Sequence, residues 1–239
     1  MLHVETRAAY PLITEQLVRR DVQKSAPKAV KTKGQAVGRP KGSLNKNRKE
    51  VELSPFQTQL QGCIRSALTL IGLDLGIVYF VYDGALGNNA SLQAVKQAGL
   101  HLICKLRHDS KLYFPYAGAY SGKGKPRKYG EKLTVETLTA DHLKMETMEK
   151  NIRTRVYQAK VWHKNFPELL NVVIIVKTNL KTGRTAKVLL FSDDLNLASE
   201  TLIDYYALRF QIEFNFRDAK QYWGLEDFMN VKANQVNNA

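Results

Sequence analysis

Four side chains near the end of this 239-residue chain have types and spacing suited to phosphate chemistry: Tyr206, Arg209, Glu213 and Lys220. Set on one continuous helix, they fall within an arc of roughly 60°. Tyr205, Leu208, Ile212, Phe216 and Ala219 form an apolar stripe beside that arc, and Ala207, Phe210 and Phe214 cover much of the other side. A helix that is apolar nearly all round is expected to be buried. Ionisable groups in a buried seam are costly unless they pair or bind something. Two readings fit the spacing equally. Arg209 and Glu213, four positions apart, suit an ordinary intrahelical ion pair. An acid, a guanidinium and an ammonium in one seam also suit a metal ion and phosphates, with Arg forking onto a phosphate, Lys supplying a point charge and Tyr a hydroxyl donor.

A fifth candidate, Asp83, is placed by the elements around it. Leu75 to Tyr82 is a continuous apolar run, expected as a strand of a central sheet covered on both faces. Asn88 to Ala98 reads as a helix with Leu92, Val95 and Ala98 inward and Gly99 as its stop. Leu100 to Cys104 reads as a second buried strand, which makes a strand–helix–strand unit with parallel strands. Ligands of open α/β sheets sit beyond the carboxyl ends of the strands, where Asp83 falls. Ser54-Pro55 opens an earlier helix, with serine as cap and proline in the first turn. Its apolar face is Phe56, Leu60, Ile64, Ala67, Leu68 and Ile71, and it ends near Gly72. Residues 1–12 read as the tail of a strand running into Tyr10-Pro11-Leu12. Strands at 154–163, 170–178 and 187–192, with a turn at Lys181-Thr182-Gly183-Arg184, read as antiparallel hairpins. Ser199 is the expected cap of the helix that carries the four residues.

Lys and Arg number 36 against 22 Asp and Glu, a net charge of +14 and a pI near 9.7. That balance points to a polyanion, either nucleic acid or an anionic membrane surface. No apolar run reaches the ~18 residues of a membrane span, and Met1 to Thr6 has no signal-peptide pattern. Cys63 and Cys104 lie far apart in apolar stretches and read as buried thiols of a reducing compartment, which favours a cytoplasmic, DNA-facing protein. Two basic segments stand out. One, at 22–53, is poor in large apolar side chains and reads as a disordered loop; it carries Arg39 and Lys41 within Gly38-Arg39-Pro40-Lys41-Gly42. That tripeptide core suits either general phosphate attraction or insertion of an arginine into an A·T minor groove. The other, at 115–132, carries Lys123, Lys125, Arg127 and Lys128, which read as a solvated loop or, with the first, as a phosphate track. His101, His108 and Trp162 read more simply as structural residues than as DNA contacts.

The spacing of Tyr206, Arg209, Glu213 and Lys220 resembles the tyrosine–arginine–glutamate–lysine signature of bacterial insertion-sequence transposases of the IS-four type. Asp83-Gly84-Ala85-Leu86-Gly87-Asn88 is similar to the segment around the second catalytic aspartate of that family, and a hairpin-rich stretch lies between it and Glu213. The resemblance implies a ribonuclease-H-like α/β core, a mixed sheet flanked by helices, interrupted by an antiparallel β insertion. Its parts are expected at 1–109, 110–195 for the insertion, and 196–239 for the signature helix. It further implies an Asp-Asp-Glu set holding Mg²⁺, with Mn²⁺ as a substitute, for cleavage and strand transfer on double-stranded DNA at transposon ends. Asp83 and Glu213 are then the second and third metal ligands, and Tyr206, Arg209 and Lys220 hold DNA phosphates. A bacterial, nucleoid-associated setting and a homodimer of the intact family follow from the same resemblance.

The sequence also departs from that pattern. The first aspartate of the family is expected on a strand before Tyr10, and no aspartate stands there. Asp21 and Asp74 fall outside the expected position, and Val231 to Ala239 reads as a helix stopped part-way. The expectation is a chain truncated at both ends and inactive by itself for want of one metal ligand. The alternatives are a non-catalytic DNA-binding remnant and a cellular nuclease of the same fold.

Overall fold

The computed structural model describes residues 1–13, 47–72, 75–120 and 122–223. Arg39, Lys41, Asp21, Asp74 and the stretch from Val231 to Ala239 lie outside them, as does most of the basic segment at 22–53.

The chain starts with a hairpin of two short strands, β1 (Leu2–His3) and β2 (Ala8–Ala9), where a single strand tail was expected. Helix α1 (Pro55–Ile71) follows. Its start matches the sequence reading: Ser54 Oγ accepts from the Gln57 N–H, and Gln57 Oε1 accepts from the Ser54 N–H. The strand expected over Leu75 to Tyr82 is shorter. Only Tyr79–Val81 forms β3, and it is a half-buried edge of the sheet, because β4 is its one neighbour among the described residues. Helix α2 (Asn89–Gln97) starts on the Asn88 side chain, which accepts from the Ser91 N–H. It stops before Gly99, whose φ of +83° is a conformation that favours glycine. Strand β4 (His101–Leu106) then pairs parallel to β3, which confirms the expected strand–helix–strand unit.

The strands that follow are antiparallel. They are β5 (Leu112–Pro115), β6 (Tyr129–Lys132), β7 (Leu143–Glu149), β8 (Ile152–His163), β9 (Leu169–Asn179) and β10 (Thr185–Ser192). They share one eight-stranded sheet with the parallel pair, in the order β3-β4-β10-β9-β8-β5-β6, with β7 added on β8. β10 joins the two parts by pairing with both β4 and β9. Helix α3 (Ser199–Leu208) and helix α4 (Gln211–Trp223) close the described chain.

The period-two alternation of the strands sorts the core into two layers. On one face Leu102, Cys104, Val172, Ile174, Leu189 and Phe191 pack with Ile64 of α1 and with Leu92 and Val95 of α2. On the other face Ile103, Val156, Val173 and Leu190 pack with Leu197 and Leu202, which brings in α3. The result is a mixed α/β fold with helices on both faces of a mixed sheet, the class expected of a ribonuclease-H-like core.

Two expectations about the last helices do not hold. Ser199 is the first residue of α3 and is buried, while Ala198 occupies the cap position. The single helix is broken at Arg209 and Phe210, where N–H groups bond to carbonyls three residues back instead of four. α3 lies on the sheet, with Leu202 and Leu208 buried. Past the break the chain leaves the sheet, and Phe210, Ile212, Phe214 and Phe216 are 52, 45, 39 and 53% exposed. An arc drawn on one ideal helix therefore does not carry from Tyr206 and Arg209 to Glu213 and Lys220.

A polar knot sets where α3 begins. Asn171, fully buried in β9, donates to the carbonyls of Asp194 (2.9 Å) and Leu197 (2.8 Å). Gln158 of β8 donates to Asn171 Oδ1 at 2.9 Å and to the Leu197 carbonyl at 2.8 Å. Asn171→Leu leaves the Asp194 carbonyl and Gln158 short of partners at a largely buried site. The expected cost is about 3 kcal/mol, seen as a fall in Tm of about 6–12 °C for a chain of this size. A fall of less than about 2 °C in a thermal melt would contradict this account of the knot.

Candidate active site

Asp83 follows β3 at its carboxyl end, as the sequence places it. Its carboxylate Oδ1 accepts from the Ala85 N–H at 2.9 Å and caps a single 3₁₀ turn over Gly84–Leu86. Its carbonyl accepts from the buried Cys104 thiol at 2.7 Å. Burial, helped by the nearby Asp83 charge, pushes that thiol up to about 12, so Cys104 stays a protonated donor at neutral pH. Cys63, expected to be buried, is only half-buried on α1. The turn is pressed onto the end of β4: a Cβ on Gly87 would collide with the Lys105 carbonyl oxygen. Glycine there is a packing requirement that holds Asp83 next to Lys105.

From the other face of the sheet, α3 delivers Tyr206 in its last turn and Arg209 just past its end. Their spacing stacks the Arg209 guanidinium 5.7 Å from the Tyr206 ring centroid. Burial raises the Tyr206 pKa above its usual range, while the Arg209 charge pulls it back. Arg209 Nε is buried with no hydrogen-bond acceptor among the described residues. A buried donor left unmatched costs about 1–3 kcal/mol, and an incoming anion would satisfy it.

Asp83, Tyr206 and Arg209 line one cleft of about 530 Å³. Lys105, Arg107, His108 and Lys187 line it too. Arg107 is held by Asp109 through contacts of 3.0 and 3.1 Å. Among the described residues Asp83 is the one carboxylate on the lining, against the cations Lys105, Arg107, Lys187 and Arg209. Sequence reading missed Lys105, Arg107 and Lys187 as site residues. Lys105 and Arg107 had a signal, since they sit at the carboxyl end of β4 by the same rule that picks out Asp83. Lys187 had none: only the pairing of Leu189 with Leu106 brings the start of β10 to this place.

Glu213 and Lys220 are not on the lining. Both are exposed on α4, beyond the break. The basic residues Lys123, Lys125, Arg127 and Lys128 lie in the β5–β6 connection and do not line the cleft either. Among the described residues no group of three or more His, Cys, Asp or Glu side chains could hold a metal ion. The donors as arranged, one carboxylate surrounded by cations, fit an anion and do not fit a two-metal carboxylate centre.

The same described residues contain no helix long and apolar enough to cross a membrane. The family model described as DDE superfamily endonuclease matches residues 1–166, a span that contains Asp83, the parallel strands and β5 to β8 and ends before α3. No curated protein matches the chain. Enzymes of this family generally act on DNA with divalent metals, and a mixed sheet flanked by helices agrees with their ribonuclease-H-like fold. With its match covering well over half of its length, the chain belongs to the DDE superfamily endonucleases.

Proposed function

We propose that this chain is the catalytic core of a transposase that cuts and joins double-stranded DNA at the ends of a mobile element. The observation that carries the reading is the cleft itself, where Asp83 ends the parallel pair at the edge of the sheet and shares the lining with Arg209, whose buried Nε has no acceptor among the described residues. In this reading Arg209 forks onto the phosphate beside the one attacked, and the Tyr206 hydroxyl donates to the same group. Lys105, Arg107 and Lys187 hold neighbouring phosphates along the strand. Asp83 sits nearest the reacting phosphate. Mg²⁺, with Mn²⁺ as a substitute, would be held by Asp83 only if a further carboxylate such as Glu213 were brought beside it, and would then stabilise charge on the phosphate. Glu213 and Lys220 belong to the site by their spacing from Arg209, and they join it only if α4 turns toward the cleft. The setting is the bacterial nucleoid, and pairing of two element ends calls for two copies of the chain.

A second reading, a DNA-binding protein without cleavage, is favoured by one observation: among the described residues Asp83 has no carboxylate partner on the cleft lining. The two are separated by nicking assays on supercoiled duplex DNA in Mg²⁺ or Mn²⁺, alongside binding of a labelled duplex. The transposase reading expects nicking that EDTA abolishes and Asp83→Asn removes, with affinity for DNA within about threefold of the parent or tighter, since one negative charge is gone. Nicking that survives Asp83→Asn rules out Asp83 as the reacting-site acid. DNA binding with no nicking by the parent chain selects the second reading.

Arg209 gives an independent prediction. Arg209→Ala removes a charge-assisted contact and is expected to weaken duplex binding about tenfold. The slope of log K against log salt should fall by about one. An unchanged slope would exclude Arg209 from phosphate contact.

A further inference from the structure

A second surface of the sheet has the chemistry of a polyanion site and plays no part in the cleft. It lies at the end where β8 finishes. Trp162 of β8 pairs in register with Tyr113 of β5. Tyr129 of β6 meets both edge-on, its centroid 5.5 Å from Tyr113 and 6.4 Å from Trp162. Two ammonium groups lie over these rings. Lys128 Nζ is 3.4 Å from the Trp162 centroid and 5.8 Å from that of Tyr129, and Lys164 Nζ is 5.1 Å from that of Tyr113. Lys128 also donates to the Pro167 carbonyl at 3.3 Å, so its stem is fixed.

The charge around this platform is one-sided. Burial lowers the Lys128 pKa, and Arg48 and Lys125 lower it further by proximity. Beside them Lys49 and Lys96 share a single acid, Glu168, at 3.2 and 2.6 Å. A cluster of this kind is short of anions. Because Lys128 already covers the Trp162 ring, that face is not open for a stacked base, and the accessible groups are ammonium donors suited to backbone phosphates.

The location adds to the argument. The cleft end of the sheet, where Lys187 pairs with Val176, is level with Arg155 of β8; Lys187 itself points with Val176 to the opposite face, so the link to Trp162 runs through Tyr206 and Arg209. Trp162 lies about seven residues further along β8, an offset of about 23 Å along the strand direction and two strands to the side, comparable with about seven base-pair steps. By strand alternation Trp162 faces the same side as Val156, the side on which α3 packs and presents Tyr206 and Arg209. Lys160, exposed and on that same side, stands between.

We propose that Lys128 and Lys164, set on the Trp162–Tyr113–Tyr129 platform, form a second contact for the backbone of the same DNA duplex that enters the cleft. This rests on the reading of the chain as acting on duplex DNA. The test uses the full chain carrying Asp83→Asn, so that no result depends on cleavage, and Trp223→Phe, so that Trp162 is the one tryptophan. A labelled 30-base-pair duplex is titrated at several salt concentrations while anisotropy and tryptophan emission are read. The expected results are a change in Trp162 emission on binding and, with Lys128→Gln plus Lys164→Gln, a fall of about two in the salt slope. Lys128→Arg plus Lys164→Arg should keep the parent slope. An unchanged slope in the glutamine variant, while Arg209→Ala still lowers it, overturns this inference and leaves the cleft reading standing. Failure of the parent to bind duplex at all overturns the cleft reading itself. Single-stranded DNA binding as tightly as duplex, with the same emission change, would mean base stacking and overturns the phosphate assignment. Equal competition by polyglutamate overturns the choice of DNA as the partner.

Discussion

The arrangement of the cleft depends on a buried amide. Asn171 sits near the start of β9, fully buried, where an apolar side chain would be the usual occupant. With Gln158 it holds the segment between β10 and α3 by hydrogen bonds to the Asp194 and Leu197 carbonyls. A buried amide matched as Asn171 is fixes a geometry, because an alternative leaves its donors or its acceptor unpaired. The direction in which α3 crosses the sheet is set here, and with it the delivery of Tyr206 and Arg209 to the end of β4. The same segment is secured from its other side, where Tyr79 donates to Asp194 at 2.7 Å. Next to it Asp193 accepts from the Leu102 N–H at 2.8 Å and pairs with His101 at 2.9 Å.

The two halves of the cleft are held with different stiffness. Asp83 is clamped on three sides: its own 3₁₀ turn, the Cys104 thiol below its carbonyl, and the contact of Gly87 with β4. Arg209 is held through Tyr206. It sits where α3 ends, its guanidinium rests on Tyr206, and the helix after it exposes four large apolar side chains. The Arg7–Asp204 ion pair at 2.8 Å ties the N-terminal hairpin to α3, and both partners are well exposed, which makes it a weak tether. A site built from one rigid acid and one loosely held cation is suited to receiving a long anion that completes it.

Much of the fold was legible. Ser54, Pro55 and Gln57 marked the start of α1, Asn88 and Gly99 bounded α2, and the apolar run before Asp83 gave the parallel pair. These signals are local: caps, stops and periodicity act within a few residues. The strands β5, β6 and β7 were not read. Exposed residues such as Lys144, Glu146 and Glu149 alternate with little apolar contrast along β7, and β6 falls within a glycine-rich basic stretch. The break at Arg209 was also invisible, because Tyr205 to Lys220 has continuous helical periodicity and contains neither proline nor glycine. Nothing in those sixteen residues states that the sheet supporting the helix runs out at Leu208.

The sequence by itself determined the charge of the protein, its α/β class, and the position of Asp83 at the end of a parallel strand. Each follows from composition or from short-range pattern. Tertiary structure decided which residues meet. It set Lys105 and Arg107 beside Asp83 through the β3–β4 pairing and Lys187 through the register of β10 on β4, and it left Glu213 and Lys220, on α4, off the cleft lining. The physical reason is that a helix stays on a sheet only while there is apolar surface beneath it. Where that surface ends is a property of strands far away in sequence, and no spacing within the helix encodes it.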